Sequence, residues 1–451
     1  MFSDFVSKNE LPVDCGIAQK IPDILELVDA VKIAICNNKR IKGSWAAVEE
    51  QRAALEESKS SYLPTASVSV NKLRTHAQYP DHSSSSASSS GSTISGSLNW
   101  RVFDFGARDS TIKTSEQILV SAEFEHDSEL QKIVSNTMQC FFDGQSAAAV
   151  LKAKIQDSRI SSETLESAKR REISGVSSRS DTLQMATANA KANLELSRAK
   201  GNYGKAIGSL NYAMGVPLHS SYKLIDFEEM SLAPSAMASW IANENSNLVE
   251  WINKAELKHP AILAAKARFE AAQEKINVVK AEGNPTIDFS INYYQNGYPG
   301  QALSSTRSRV GTIGLTINFP IFDGFSRSFK VKQAIAQKER KDSEMRDISQ
   351  SISAEVLRSY YDALSSLKNI NETQVLLEAA QEAYTVSKRK YEKGVADVVE
   401  ILNTQNSLVD AEEERVRAIA EWRSAQLRLI ASSGILSFKS LNKIVINSAD
   451  Y

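Results

Sequence analysis

The sequence predicts a mainly α fold with a transmembrane β part, organised as an internal two-fold repeat. Three observations lead there. Phe103-Asp104-Phe105-Gly106 recurs as Phe322-Asp323-Gly324-Phe325. The same offset of 219 positions (103 to 322) carries, without a gap, Arg108 to Arg327, Phe141-Phe142-Asp143 to Tyr360-Tyr361-Asp362, Lys169-Arg170 to Lys388-Arg389, Gly175-Val176 to Gly394-Val395 and Gly215 to Gly434. Self-similarity at one spacing marks a structural unit built twice. The ten prolines leave two windows empty, between Pro80 and Pro217 and after Pro320. Proline inside a helix costs about 3 kcal/mol, so these windows permit uninterrupted helix. Around the start of each window, the apolar residues alternate with period two, the mark of a strand with two unlike faces.

Each copy opens with a predicted helix, Pro22 to Ser60 and Asn247 to Ala281, with Pro64 answering Pro285. Two strands follow. Ala66, Val68 and Val70 alternate with Ser67, Ser69 and Asn71, and Ile94, Leu98, Trp100 and Val102 with Ser95, Ser97, Asn99 and Arg101. In the second copy Ile287, Phe289, Ile291 and Tyr293 alternate with Asp288, Ser290 and Asn292, and Ile313, Leu315, Ile317 and Phe319 with Thr312, Gly314, Thr316 and Asn318. Four strands of about ten residues, apolar on one face, have the length and pattern of transmembrane β-strands. The Ser- and Gly-rich stretches Ser83 to Ser92 and Asn296 to Ser308 read as exposed, mobile loops.

A very long helix comes next in each copy. Gly144 is the only glycine from Ala107 to Ile173, and there is none from Phe325 to Lys393. About 65 residues at about 1.5 Å each reach near 100 Å, a length that needs lateral partners. Steps of four and three from Ile352 give Val356, Ser359, Ala363, Ser366, Ile370, Thr373, Leu377, Ala380, Tyr384, Ser387 and Tyr391. Small residues facing large ones at heptad spacing form a coiled-coil seam. Gly175 and Gly394 end the long helices just after basic residues, which suit the negative helix end. Second helices, Asp181 to Ala213 and Glu400 to Ser432, complete two helical hairpins. The organisation is an N-terminal extension (1–20), repeat 1 (21–215), a linker or equatorial segment (216–246), repeat 2 (247–434) and a tail (435–451).

Composition excludes several functions. A formal net charge of −1 gives no electrostatic footprint for nucleic acid. A mean hydropathy of −0.30 and the lack of any apolar run near 18 residues speak against spanning helices. Met1-Phe2-Ser3-Asp4-Phe5 shows no secretion signal, and Asp14 before Cys15 argues against lipoprotein processing. Cys15 and Cys36 can pair in an oxidising compartment, or stand as two unrelated small core residues in a reducing one. The histidines, His76, His82, His126, His219 and His259, show no metal-ligand spacing. Gly201-Asn202-Tyr203-Gly204-Lys205-Ala206 lacks the spacing and the Ser/Thr of a phosphate loop. No enzyme, cofactor or metal is expected.

Four strands cannot close a barrel, and an open sheet edge is forbidden in lipid. Other copies must complete the wall, giving 8, 12 or 16 strands, with the polar strand face lining a lumen that the long helices continue as a tube. The competing expectation is a structural coiled-coil protein of the cell envelope, with a small sheet and no pore.

Tyr62-Leu63-Pro64, Trp100-Arg101-Val102-Phe103-Asp104-Phe105-Gly106-Ala107-Arg108, Asn318-Phe319-Pro320-Ile321-Phe322-Asp323-Gly324 and the two tip segments together resemble the TolC-like outer-membrane efflux and secretion channels of Gram-negative bacteria. Ala34-Ile35-Cys36-Asn37-Asn38 and Ser44-Trp45-Ala46-Ala47 look most like members serving type I secretion. The resemblance implies a homotrimer, a 12-stranded β-barrel in outer-membrane lipid and a helical coiled-coil tunnel in the periplasm. It implies, as partners, a periplasmic adaptor protein and an inner-membrane transporter. The segments Ser174-Gly175-Val176-Ser177 and Lys393-Gly394-Val395-Ala396 match the family's adaptor-docking tips, without the usual hydrophobic residue before each glycine. Asp181 and Tyr391 match the polar lock of the closed entrance. Its arginine place holds Ala396, so that part of the lock is either missing or replaced by Arg179. Glu400 matches an acidic ring, with Asn403 in its second layer. A periplasmic setting also implies a Cys15–Cys36 disulfide, with Cys140 a free packed thiol.

Overall fold

The computed structural model describes residues 21–78, 86–225, 248–296, 308–393, 395 and 397–434. In chain order the elements are β1 (Ile24–Leu25), α1 (Leu27–Asn37), α2 (Lys39–Ser60), β2 (Thr65–Gln78), β3 (Ser86–Phe103), α3 (Ala107–Ile173), α4 (Arg179–Met214), β4 (Lys223–Leu224), α5 (Leu248–Lys258), α6 (Pro260–Ala281), β5 (Thr286–Gln295), β6 (Arg309–Asn318), α7 (Ser326–Glu392) and α8 (Val398–Ser432). The repeat reappears in the boundaries. Helices α3 and α7 are both 67 residues long and begin 219 positions apart (107 to 326). The two helices that open each copy recur at a spacing of 221 (27 to 248, 39 to 260).

The single opening helix expected in each copy is instead two helices, broken at Asn38 and His259. In the second copy the cause is local, because Pro260 drives the residue before it out of the helical region. His259 Nδ1 then accepts from the Ala261 N–H at 3.2 Å, and burial pushes its pKa down to about 4, keeping the ring neutral. In the first copy the cause is tertiary. Asn38 is extended (φ −65°, ψ 125°), and its Nδ2 donates to the Ala213 carbonyl at 3.0 Å. Gly215 and Gly434, at φ +70° and +71°, press against the two breaks. A Cβ on Gly215 would lie 2.9 Å from the Asn37 carbonyl carbon, and one on Gly434 2.7 Å from His259 Cα. Only glycine permits that approach of backbone to backbone. The first copy also starts later than expected: Ile24–Leu25 pairs in parallel with Lys223–Leu224 before α1 begins.

The chain divides into two compact units, each drawing on both copies: Met1–Trp45, Glu125–Leu263 and Ile348–Tyr451 form one, Ala46–Phe124 and Ala264–Asp347 the other. In the first, a central cluster joins Val31 and Ile35 of α1, Met138 and Phe141 of α3, Leu210 and Met214 of α4, and Leu427 and Ile430 of α8. Most of the seam of α7 faces inward, with Ile352, Thr373 and Leu377 half-buried. Val356, Ser359, Ala363, Ser366, Ile370, Ala380, Tyr384, Ser387 and Tyr391 are all buried. Trp251 of α5 and Trp422 and Leu429 of α8 pack against its upper half, which is how a weakly hydrophobic stripe finds enough apolar area.

The second unit holds a four-stranded antiparallel sheet in the order β2-β3-β5-β6. Its register aligns Ala66, Leu98, Ile291 and Ile313 in one row across the sheet, and Ser67, Ser97, Asn292 and Thr312 in the next. Pleating sends these rows to opposite faces. The first hairpin exceeds the expected ten residues, with 14 in β2 and 18 in β3. Part of the stretch Ser83 to Ser92, expected as loop, is therefore strand, since ladder pairing uses backbone groups and tolerates serine. On the polar face serines pair across strands, Ser67 with Ser97 at 2.8 Å and Ser69 with Ser95 at 2.7 Å. On the other face Val68, Ile313, Leu315 and Ile317 are exposed, Ile313 by 76%.

Each strand-to-helix junction needs two successive residues at positive φ: Phe105 and Gly106 (50° and 90°) in the first copy, Gly324 and Phe325 (67° and 65°) in the second. Each copy supplies one glycine, at different positions. The preceding Asp104 accepts from the Arg108 backbone N–H at 3.0 Å and from Nε at 2.8 Å. Arg108 also donates to the carbonyls of Ser61 (3.2 Å), Arg101 (2.7 Å) and Val102 (3.3 Å), with its guanidinium 4.3 Å above the Tyr62 ring. The repeat-related Arg327 stands 3.8 Å from Asp323 and is a third exposed. The first junction is thus cross-braced and buried, the second only loosely.

Candidate functional site

The two helical hairpins end in turns of one design. Val176 N–H reaches back to the Arg171 carbonyl and Val395 N–H to that of Lys390, each at 2.9 Å, positions 219 apart (171 to 390). Gly175 provides the left-handed residue, at φ +72°. Val176 and Val395 are 67% and 78% exposed, so each turn presents a bare apolar side chain. Ser177 is half-buried. Gly394 and Ala396 lie outside the described residues.

Behind the tips, Asp181 and Glu400 are repeat equivalents, at an offset of 219, with different employment. Asp181 accepts from Ser177 Oγ at 2.9 Å and the Ser178 N–H at 3.1 Å, closing a capping box at the start of α4. These hydrogen bonds, with Arg171 nearby, hold its carboxyl below the usual range. In α8 the N-cap Asp397 makes no side-chain cap bond, and Glu400 reaches across the hairpin instead. It accepts from Ser387 Oγ at 2.9 Å and Lys390 Nζ at 3.3 Å, which hold its pKa below the ordinary value. Both carboxylates are ionised at neutral pH. Asn403, one turn further, is exposed.

Tyr391 is 6% exposed and packs with Leu165, Ala168, Met185, Val398 and Ile401, drawn from all four tip helices. Burial raises its phenol pKa. Its bracing residue is Arg171, whose Nη1 donates to the Tyr391 carbonyl at 2.7 Å while the guanidinium stacks 4.8 Å from the ring. Arg179 is exposed, and its side chain makes no hydrogen bond or ion pair among the described residues. The link between the hairpins thus falls to Arg171, one of the basic residues in the last turn of α3 before Gly175. The signal was present, since Arg171 is the repeat equivalent of Lys390, the residue that serves Glu400.

Cys36 is buried and disulfide-bonded. Cys15, its expected partner, lies outside the described residues, and Cys140 is free. No group of His, Cys, Asp and Glu suited to a metal ion occurs among the described residues, and no described helix is long and apolar enough to cross a membrane.

A β-sheet with one bare apolar face, and two helical hairpins with exposed apolar tips and acidic groups behind them, are the parts of an outer-membrane channel protein. The chain belongs to the outer membrane efflux protein family, whose model matches residues 30–216 and 251–435. It is similar to Protein CyaE of Bordetella pertussis, with 26% identity over 420 residues, 93% of this chain and 86% of that one. The Alkaline protease secretion protein AprF of Pseudomonas aeruginosa is 21% identical, over 78% of this chain and 71% of its own. The Campylobacter jejuni CmeC outer membrane channel has the same fold, with a TM-score of 0.76 at 15% identity over 94% of this chain and 89% of that one. The expected channel fold, mainly helical with a β part, accords with these relatives.

Proposed function

We propose that three copies of this chain close one passive conduit across the outer membrane, joined at its helical tips by a periplasmic adaptor that couples it to an inner-membrane transporter. One observation carries the reading: a four-stranded sheet with an exposed apolar face and two unpaired edge strands, β2 and β6. Neither feature is stable in a lone chain at a membrane, and closing a ring with other copies removes both. The chain performs no chemistry, and energy comes from the transporter. Val176 and Val395, beside Gly175 and Gly394, make the adaptor surface. Relatives named for protease secretion, AprF and PrtF, support protein cargo. Relatives named for efflux, BepC and TtgC, support small molecules as well.

At the entrance, three-fold symmetry turns each acidic group into a ring of three, which attracts cations and repels anions. Single-channel recording in planar bilayers tests this reading. The protein is expected to pass current that multivalent cations block from the tip side, and Glu400→Ala with Asp181→Ala to weaken that block. Since Ser387 and Lys390 depress the Glu400 pKa, block is expected to persist to a lower pH than an ordinary glutamate would allow and to be lost as the pH falls further. An absence of current returns the structural-rod reading, and unchanged block in the double variant removes the acidic entrance. The Cys15–Cys36 pair belongs to the same proposal, and nonreducing mass spectrometry of the native protein is expected to find that linked peptide.

A further inference from the structure

The apolar face of the sheet does not end in neutral residues. On β2 the outward series Ala66, Val68, Val70 continues as Lys72 and Arg74, both exposed, with unbroken register to β3. On β6 the series Ile317, Leu315, Ile313, Gly311 ends in exposed Arg309. Val70, Ile94, Gln295 and Arg309 form one row, so Arg309 marks the top of the apolar band and Lys72 and Arg74 sit two and four rows beyond it.

Two further observations bear on these cations. The described strands carry one carboxylate, Asp288, and it lies on the opposite face, paired with Arg101 at 2.9 Å. Lys72, Arg74 and Arg309 form no ion pair among the described residues. Their height is also defined. From Phe319, one residue past β6, to Arg309 the extended chain runs about 34 Å at about 3.4 Å per residue, or about 26 Å along the membrane normal at a tilt of about 40°, matching the apolar band of about 25 Å in such barrels. The cations stand at the end of the sheet away from α2 and α3, on its apolar face; in a lipid-embedded barrel of that height this is the depth of the outer headgroups.

We infer that Lys72, Arg74 and Arg309 form a docking surface for the phosphate groups of anionic glycolipid headgroups in the outer leaflet. The inference rests on the channel reading above, because ring closure sets the β6 edge of one copy beside the β2 edge of the next and gathers Arg309 with Lys72 and Arg74 at each junction. Arginine offers phosphate a planar fork of donors and lysine a point charge. Each cation near a charged membrane surface contributes about a fivefold gain in binding.

Native mass spectrometry of the detergent-purified full-length protein, titrated with diphosphoryl lipid A and with its dephosphorylated form, tests the surface. The unsubstituted protein is expected to prefer the phosphorylated lipid by about tenfold or more. Lys72→Gln, Arg74→Gln and Arg309→Gln together are expected to bring the two lipids within about twofold. Arg309→Gln alone, a milder change should the triple variant fail to assemble, is expected to remove about fivefold. Arg101→Gln, on the lumenal face, is expected to leave the preference intact. Equal affinity of the unsubstituted protein for both lipids, an undiminished preference in the Gln variants, or loss of preference on Arg101→Gln overturns the assignment. Inorganic phosphate competing as well as the lipid overturns it too. A protein that passes current yet shows no preference refutes the lipid surface alone, whereas one that passes no current takes the channel reading down with it.

Discussion

Replacing Ile313 with Arg is expected to stop the protein entering membranes, although in the isolated chain the side chain at that position is 76% exposed and touches little. A cation on the lipid face of a barrel near mid-depth costs about 2–4 kcal/mol, and each copy in the ring bears that cost. Ser97→Arg sits in the neighbouring row of the same sheet and points the other way. It is expected to insert normally and to shift the channel toward anions, because it adds a ring of positive charge to the lumen. Flotation with lipid vesicles gives the inserted fraction, and reversal potentials in a salt gradient give the selectivity. If Ile313→Arg inserts like the unsubstituted protein while Ser97→Arg fails, the faces are inverted. If neither differs, the sheet is not in lipid.

Arg108→Ala is expected to have the largest effect on folding. Removing it strands the Asp104 carboxylate, 5% exposed, together with three carbonyls that now accept from one guanidinium. Breaking a buried ion pair from one side costs about 3–5 kcal/mol. The repeat supplies an internal control, since Arg327→Ala removes a 3.8 Å pair a third open to solvent, worth about 1 kcal/mol or less. Circular dichroism at the helical bands, followed through thermal unfolding in detergent, is expected to show an early loss for Arg108→Ala and a small shift for Arg327→Ala. Equal shifts would show that the two junctions are equivalent in energy and that the burial difference has no consequence.

The contrast between those junctions marks how far the sequence could be read. Both copies carry Phe, Asp and Gly in nearly the same order, and the offset of 219 found the equivalent positions. It gave no warning that one arginine is locked in by Ser61 and Tyr62 while the other leans over Gly283, where a Cβ would lie 2.1 Å from Arg327 Nη1. At the tips, Asp181, Tyr391 and Glu400 were recognisable from their places beside the two glycines. Which partner each would take was not. Asp181 is occupied by its own helix start, Glu400 by Lys390, and Tyr391 by Arg171, 220 positions away.

What the sequence determined by itself is whatever depends on period and on local backbone demand. Polarity at a spacing of two wrote the faces of the strands, small and large residues at heptad spacing wrote the seam of α7, and Pro260 fixed the break at His259. Only the tertiary structure decided the break at Asn38, the length of the first hairpin and the pairing of charges at the tips. Asn38 turns because the backbone around Gly215 lies against it, and a hydrogen bond to Ala213, 175 positions away, holds it there. Period is a property of neighbours along the chain, whereas a partner is set by which groups the packed helices bring within about 3 Å, and that distance exists only once the chain has folded.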